Sequence, residues 1–408
     1  MTSSELPNYK QLNKFFQKIL KQGKYLLNQE VELHPTVGAY PMYDRRIYYS
    51  MTNDTLRNEV YQAAINQVVK DKVVVEIGTG EDIVLAKMCV AAGAKKIFAI
   101  EINKKSYDRA QNLIDQLGFS DKIYLIYGDA TKVEIPELAD VCVSEILGTI
   151  ASSEGVNAII KNARRFLKPR GIMLPTRSIT HIAAACLPDY ILASPALSQT
   201  GWNYMRRIFE YISYPFDLRI CIKNLSRSDL ISNIDIFEDL DFNQPLAVDY
   251  SQEISLTINK NSRLDGFILW LKLYTSDSEV LDVFDDKNSS WMPVLFPVFY
   301  PSIAVNVGDR IEASCQTTLS DDGVYPDYKI IGNLIKTTGE KIAFEYESSH
   351  HKPVFRHNQF YQNLFAEDGV RIIYDYSPRN FGERIKFYLR DNLPTSIINQ
   401  IRKLRTIL

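Results

Sequence analysis

Val75-Glu76-Ile77-Gly78-Thr79-Gly80 places an acidic residue at the end of a β-branched run and follows it with two glycines one residue apart. Glycines allow backbone angles that other residues resist, so such a turn brings main-chain N–H groups close to a ligand, and a helix starting there adds unpaired N–H groups of its own. Two more apolar runs end in acids: Ile97-Phe98-Ala99-Ile100 leads into Glu101, and the run from Ile123 leads into Gly128-Asp129-Ala130. A dinucleotide fingerprint needs a third glycine where this chain has Ile83. Carboxylates gathered at the ends of neighbouring strands also repel a pyrophosphate. Dinucleotide binding is therefore a minor reading.

A cationic nucleoside fits that rim, and S-adenosyl-L-methionine is one. Glu101 suits the ribose hydroxyls, Asp129 and Ala130 the adenine edge, and Glu76, Gly78 and Gly80 the cationic end. The competing reading makes Glu76, Glu101 and Asp129 ordinary caps of the following helices. Three acids in the same register favour a site.

The elements needed to hold such a rim are written in the spacing. From Lys72 to about Leu174, β-branched runs alternate with helical stretches closed by Gly93 and Gly118, and the last helix is expected to reach Leu167 and stop at Pro169 and Gly171. This alternation predicts an α/β fold built on a doubly wound, Rossmann-like parallel sheet. A helix capped at Asn53-Asp54 precedes it, with Leu56, Val60, Ala64 and Val68 on one side. After Pro175, β-type runs at 179–187, 218–222, 254–258, 267–274, 298–307 and 311–318 predict a mainly antiparallel, barrel-like second domain. Leu12, Phe15, Phe16, Ile19 and Leu20 mark an amphipathic N-terminal helix. The expected divisions are an N-terminal segment at 1–40, a cofactor domain at 41–176, a substrate domain at 177–340 and a C-terminal extension at 341–408.

Composition narrows the function class. Lys plus Arg number 47 against 49 Asp plus Glu, so no global field would hold a nucleic acid. Five scattered cysteines without a C-x-x-C pair indicate neither a disulfide framework nor a metal site, and they fit a cytoplasmic protein. No run approaches the length of a membrane span, and Met1 to Glu5 has no leader-like pattern.

Ser144-Glu145-Ile146-Leu147-Gly148, followed by Glu154, resembles the double-glutamate hairpin of the protein arginine methyltransferase family. The similarity extends over about residues 41–338. The resemblance implies that Glu145 and Glu154 are catalytic. A guanidinium is planar and permanently charged, and two carboxylates can grip its fork of donors while the third nitrogen attacks a methyl group. Glu154 as a simple first-turn acid is the competing reading. Ser289-Ser290-Trp291 resembles the family's Thr-His-Trp loop, with Ser290 where the family has histidine. Asp82 stands at the family's third glycine, and Tyr61 aligns with its cofactor-carboxylate arginine, leaving Arg57 or Arg45 as substitutes. Met42-Tyr43-Asp44-Arg45-Arg46 matches the family's N-terminal aromatic motif in part, and Thr131 replaces its acidic contact beside the adenine.

The resemblance also implies a homodimer, built through an arm at residues 189–216 that holds Trp202, Tyr204, Met205, Phe209 and Tyr211. The acceptor departures leave a small metabolite, an amine or a side-chain amide as alternative substrates, and a non-catalytic scaffold as the competing class. Asp235, Glu238, Asp239, Asp241, Asp282, Asp285 and Asp286 are expected to be a steering or solvated acidic face. His350 and His351 are expected at the surface, and the basic tail with Arg402, Lys403 and Arg405 is expected to pack as a helix.

Overall fold

The computed structural model of the protein describes residues 31–36, 45–197, 201, 205, 218–286, 289–350 and 357–364. The expected N-terminal helix, Met42 to Asp44, the side chains of Arg45 and Arg46, most of the 189–216 arm, His351 and the basic tail lie outside the described residues.

The described chain opens with a strand, β1 (Glu32–Thr36), and two helices, Arg45–Thr52 and Thr55–Val68. Asp54 caps the second helix by accepting from the Arg57 N–H. Next come β2 (Val73–Ile77), β3 (Lys96–Glu101), β4 (Ile123–Tyr127), β5 (Ala139–Ser144) and β6 (Leu167–Leu174), alternating with helices Val84–Ala91, Lys104–Leu117 and Val156–Ala163. They form one parallel sheet in the order β4-β3-β2-β5-β6. Every residue of β2 is buried, as befits a strand covered on both faces. The strand order reverses between β2 and β5, the point where an open α/β sheet leaves a crevice at its carboxyl edge. Ile77 pairs with Ser144 there, so Gly78 and Glu145 emerge side by side.

The α/β class is the one expected, but the end of this sheet differs. The last helix stops at Ala163, a 3₁₀ turn covers Arg164–Phe166, and Pro169 and Gly171 lie inside β6. The register with β5 jumps from Ala139↔Leu167 to Val141↔Ile172. β6 is an edge strand with a bulge, where a missing proline N–H costs no ladder bond.

The antiparallel part contains β7 (Arg177–Ala185), β8 (Arg219–Lys223), β9 (Asp235–Asp241), β10 (Tyr250–Thr257), β11 (Ser262–Leu264), β12 (Gly266–Tyr274), β13 (Val280–Asp282), β14 (Val294–Phe296), β15 (Ile303–Val305), β16 (Arg310–Leu319), β17 (Pro326–Ile335) and β18 (Lys341–Ser348). One sheet runs β1-β8-β14-β12-β7-β9 with β13 on β12, another runs β10-β16-β17-β18, and β11 pairs with β15. Phe237, Leu256, Phe267, Phe296, Ile311, Tyr328 and Ile330 share a core drawn from both larger sheets. Leu271, Leu273, Leu281, Val283 and Trp291 instead join the core of the parallel sheet, so the two halves are packed through a common interior.

Two strands cross the expected divisions, and one expected strand is interrupted. β1 lies within the supposed N-terminal segment yet joins the antiparallel sheet by pairing with β8. β18 lies beyond residue 340 and pairs with β17 over its whole length. The 298–307 run is no single strand, because Val298 to Ser302 form a connection between β14 and β15.

Gly266 marks the tightest strand contact, since a Cβ there would lie 2.1 Å from the Phe296 carbonyl oxygen. Gly266→Ala must push β12 away from β14 at a cost of about 1–3 kcal/mol. Calorimetry is expected to record a lowered Tm, and an unchanged Tm would refute this contact.

Candidate functional site

Gly78 and Gly80 both adopt left-handed conformations, with φ of +75° and +67°. A Cβ on Gly78 would also approach Ile146 Cγ2 to 3.0 Å. The turn they form is fixed by Glu101, whose Oε2 accepts from Gly80 N at 2.9 Å and whose Oε1 accepts from Asn103 N at 2.6 Å. Burial raises the Glu101 carboxyl despite these bonds. Asn103 in turn caps the helix Lys104–Leu117 by accepting from Lys105 N and Ser106 N.

Glu76 is 1% exposed. Its Oε2 accepts from Thr79 Oγ1 at 2.7 Å, while Oε1 makes no hydrogen bond of normal geometry among the described residues. Burial pushes this carboxyl up to about 7, moderated by Thr79 and the nearby Ala86 N–H. Asp129 has the opposite balance. Burial raises it, but the Thr131 N–H and hydroxyl, with Lys132, outweigh burial and leave it lowered.

At the end of β5, Glu145 Oε2 meets Arg57 Nη1 at 2.5 Å. Burial raises the Glu145 carboxyl, with Arg57 opposing the shift. Arg57 also donates to the Met51 carbonyl and lies 5.8 Å from the centre of the Trp291 ring. Trp291 Nε1 donates to the Leu147 carbonyl at 3.0 Å, and the Tyr61 hydroxyl donates to the Ser144 carbonyl at 3.0 Å. The chain then folds back on itself, bringing Ser153 Oγ within 1.8 Å of where a Cβ on Gly148 would stand. A 3₁₀ turn, Ala151–Glu154, delivers Glu154, and Gly155 closes it at φ +83°.

Glu76, Gly78, Gly80, Glu101, Asp129, Ala130, Glu145 and Glu154 all line one cavity of about 630 Å³. Arg57, Tyr48, Ser290 and Trp291 line it too.

A family model described as PRMT5 arginine-N-methyltransferase matches residues 31–174. Histone-arginine methyltransferase CARMER of Drosophila ananassae is 30% identical over 233 residues, which are 51% of this chain and 43% of that protein. The probable histone-arginine methyltransferase CARMER of Drosophila melanogaster gives the same figures. The chain thus spans less than half the length of these curated relatives. Among solved structures, protein arginine methyltransferase 10 of Arabidopsis thaliana, described as a uniquely open conformation, superposes with a TM-score of 0.62 at 19% identity, over 76% of this chain and 98% of that one. The Trypanosoma brucei PRMT1 enzyme–prozyme heterotetrameric complex with AdoHcy gives 0.61 at 18% identity, over 75% and 99%. At these identities the two structures speak for the fold.

Over residues 31–174 the chain is similar to the arginine methyltransferases that this family model describes.

As an arginine methyltransferase relative it departs from the expected pattern in identifiable places. Tyr61 is fully buried and bonded to a main-chain carbonyl, so it does not serve as a cavity cation. Arg57, one helical turn earlier, lines the cavity. Asp82 also lines it and accepts from Thr52 Oγ1 at 2.8 Å. A third left-handed position follows at the next residue, Ile83, with φ 45°. That is a strained conformation for a β-branched side chain. Ser290, in the histidine position, presents its main-chain N–H to Asp54 Oδ2 at 2.5 Å, beside the Ser289 hydroxyl at 3.0 Å.

Tyr48 was not found from the sequence. Its hydroxyl accepts from Ser106 Oγ at 3.3 Å, and burial together with Glu101, Glu81 and Glu154 pushes it up to about 12. No pattern of residue types marks it.

The expected acidic face is dispersed. Asp239 pairs with Arg177, and Asp282 and Asp285 pair with Arg227. Glu238 is buried at 1% exposure, and none of these acids is among the cavity-lining residues. His350 is likewise buried rather than at the surface, stacked on Tyr325 at 4.1 Å and 3.6 Å from Asp322 Oδ2.

Glu76 gives a pH signature. Its folded value near 7 lies above the ordinary 4.5, so the folded state holds the proton more tightly. Its contribution to stability is greatest below about 4.5 and falls as pH rises through 7. Removing this burden is worth up to about 3 kcal/mol. Glu76→Gln is expected to raise the Tm of the ligand-free protein at pH 8 and to change it much less at pH 5. Equal changes at both pH values would contradict the assignment.

Proposed function

We propose that this protein is an S-adenosyl-L-methionine-dependent N-methyltransferase acting on the guanidinium of a protein arginine. The observation that carries the reading is that Glu145 and Glu154 open into the same cavity as the glycine turn and the Glu101 rim. The cavity suits the cofactor on its own chemistry. Glu76 has a buried oxygen that makes no hydrogen bond of normal geometry among the described residues and a carboxyl raised by burial, and a positive ligand charge eases both. Gly78 and Gly80 supply the left-handed backbone that this turn requires, and a Cβ on Gly78 would crowd Ile146.

Bound there, S-adenosyl-L-methionine supplies an electrophilic methyl group. The chain's own residues do the rest by position and charge. Glu101 keeps the glycine turn in shape while facing the cavity, and Asp129 and Ala130 form the far edge. Arg57 supplies a buried positive charge at the cavity wall and orients Glu145 through Oε2. Glu145 and Glu154 hold the acceptor so that its charge rests on two nitrogens and the third retains its lone pair. With serine at position 290 and Asp54 engaged by two main-chain N–H groups and a hydroxyl, the released proton is taken at Glu145 Oε1, on the carboxyl that burial raises. Assembly into an oligomer belongs to the same reading, supported by the heterotetrameric state in which the similar Trypanosoma brucei chain was solved.

Incubation with methyl-labelled cofactor and a cell extract, separated into protein and small-molecule fractions, is expected to place label on protein arginine. Glu145→Gln and Glu154→Gln should each reduce transfer by about 10²–10³-fold while retaining cofactor binding, and Glu101→Ala should lose cofactor binding. Label confined to small molecules, or absent from both fractions, would overturn the proposal.

A further inference from the structure

Among the described residues, Glu238 is the most completely bonded buried acid outside the cavity, and its bonds lead to the turn that carries Glu154. Its strand, β9, pairs with β7 through a register shift between Thr180 and His181. A bulge breaks the in-out alternation of a strand. Phe237 and Glu238 consequently both point inward, while Asp239 and Asp241 stay exposed.

Inside, each carboxylate oxygen meets two donors. Oε1 accepts from Ser152 N at 3.0 Å and from Thr180 Oγ1 at 2.7 Å. Oε2 accepts from Ser152 Oγ and from the Tyr250 hydroxyl, both at 2.6 Å. Because the Ser152 hydroxyl proton goes to Glu238, the Tyr328 hydroxyl, 2.6 Å away, is the donor to Ser152 Oγ. Thr180 Oγ1 in turn accepts from Ala151 N at 3.1 Å. Ala151 and Ser152 are the first two residues of the 3₁₀ turn that ends in Glu154, and the Ser152 carbonyl accepts from Gly155 N at 2.9 Å. Ser152 is thus anchored through its N–H, hydroxyl and carbonyl, two residues before Glu154.

We propose that Glu238 is a positioning residue for methyl transfer: through Ser152 and Thr180 it fixes the turn that presents Glu154 to the acceptor. This rests on the methyltransferase reading above. Glu238 touches no substrate. It converts a short glycine-flanked segment into a rigid platform, and misplacement of a reacting group by about 1 Å costs on the order of 10²-fold in rate.

The test uses the full-length chain with S-adenosylhomocysteine as the cofactor-site probe. Glu238→Gln turns an amide toward hydroxyl and main-chain donors, and is expected to lower kcat by about 10–100-fold while leaving probe affinity within about twofold. Tyr328→Phe, a milder change, should lower kcat less and in the same manner. Asp239→Asn, on the exposed face of the same strand, should leave kcat unaltered. Ser152→Ala combined with Glu238→Gln should be no slower than Glu238→Gln alone, because both remove one anchor. Hydrogen exchange of the Ser152 and Gly155 amides is expected to accelerate about tenfold or more in Glu238→Gln, with the Gly80 amide unchanged. That readout does not need turnover. If the wild-type chain transfers no methyl group, the function reading fails while exchange still decides the anchoring. Unchanged exchange at Ser152, multiplicative effects in the double variant, or parallel loss of probe affinity and kcat would overturn the proposal.

Discussion

Negative charge taken out of water must meet donors inside the protein, and the site is organised around that requirement. Glu101 is met by two main-chain N–H groups of the glycine turn and the next helix. Glu145 is met by Arg57, and Glu238 by four donors from three other elements. Each solution also fixes a piece of backbone, so satisfying the carboxylates and shaping the cavity are the same event. Glu76 is the exception, with one oxygen bonded to Thr79 and the other making no hydrogen bond of normal geometry among the described residues. An incompletely satisfied buried acid at a strand end is a liability for the fold, because its desolvation is not fully offset.

The second constraint is reach. The crevice between β2 and β5 comes from the parallel sheet, but its walls come from far along the chain. Asp54 holds Ser289 and Ser290, and Trp291 holds the Leu147 carbonyl. Gly155 lies against Val324, where a Cβ would come within 2.6 Å of Val324 Cγ1. The antiparallel sheets therefore act as a clamp on the glutamate hairpin, which explains why Trp291 and Leu271 belong to the interior of the parallel sheet. A parallel sheet alone could present the rim acids. It could not hold Glu154.

What could be read from the sequence follows from these two constraints. Strands buried on both faces, such as Val73–Ile77, appear as unbroken β-branched runs, and the acids at their ends could be numbered in advance. β17 and β18 are harder to read because apolar Ile331 lies on the solvent side of β17 and Gly332 on its inner side, while β18 buries Ile342 and Phe344 only in part and turns Ser348 inward. β6 was missed because proline and glycine read as a helix stop, although an edge strand accommodates both. Glu238 was misread because a bulge, invisible in composition, turned one acid of an acidic run inward. Arg57 and Tyr61 lie four residues apart on one helix, and only the packing of that helix against Ser144 and Glu145 decides which of them reaches the cavity.

The substitution of serine for the loop histidine has a narrower meaning than the sequence suggests. Asp54 accepts from Arg57 N, Ser289 Oγ and Ser290 N, so the loop is held mostly by main-chain donors and by a hydroxyl that is not the missing group. The shape of the loop therefore does not depend on an imidazole at position 290, and Trp291 still reaches Leu147 and lies near Arg57. What the substitution removes is a side chain that titrates near neutrality. Architecture and proton chemistry are thus separable on this loop. In this cavity burial raises Glu76, Glu101 and Glu145 together. The donors that fix these carboxylates, Arg57 at Glu145 and the Gly80 and Asn103 N–H groups at Glu101, also oppose that shift, so the same contacts set the position and the basicity of each acid.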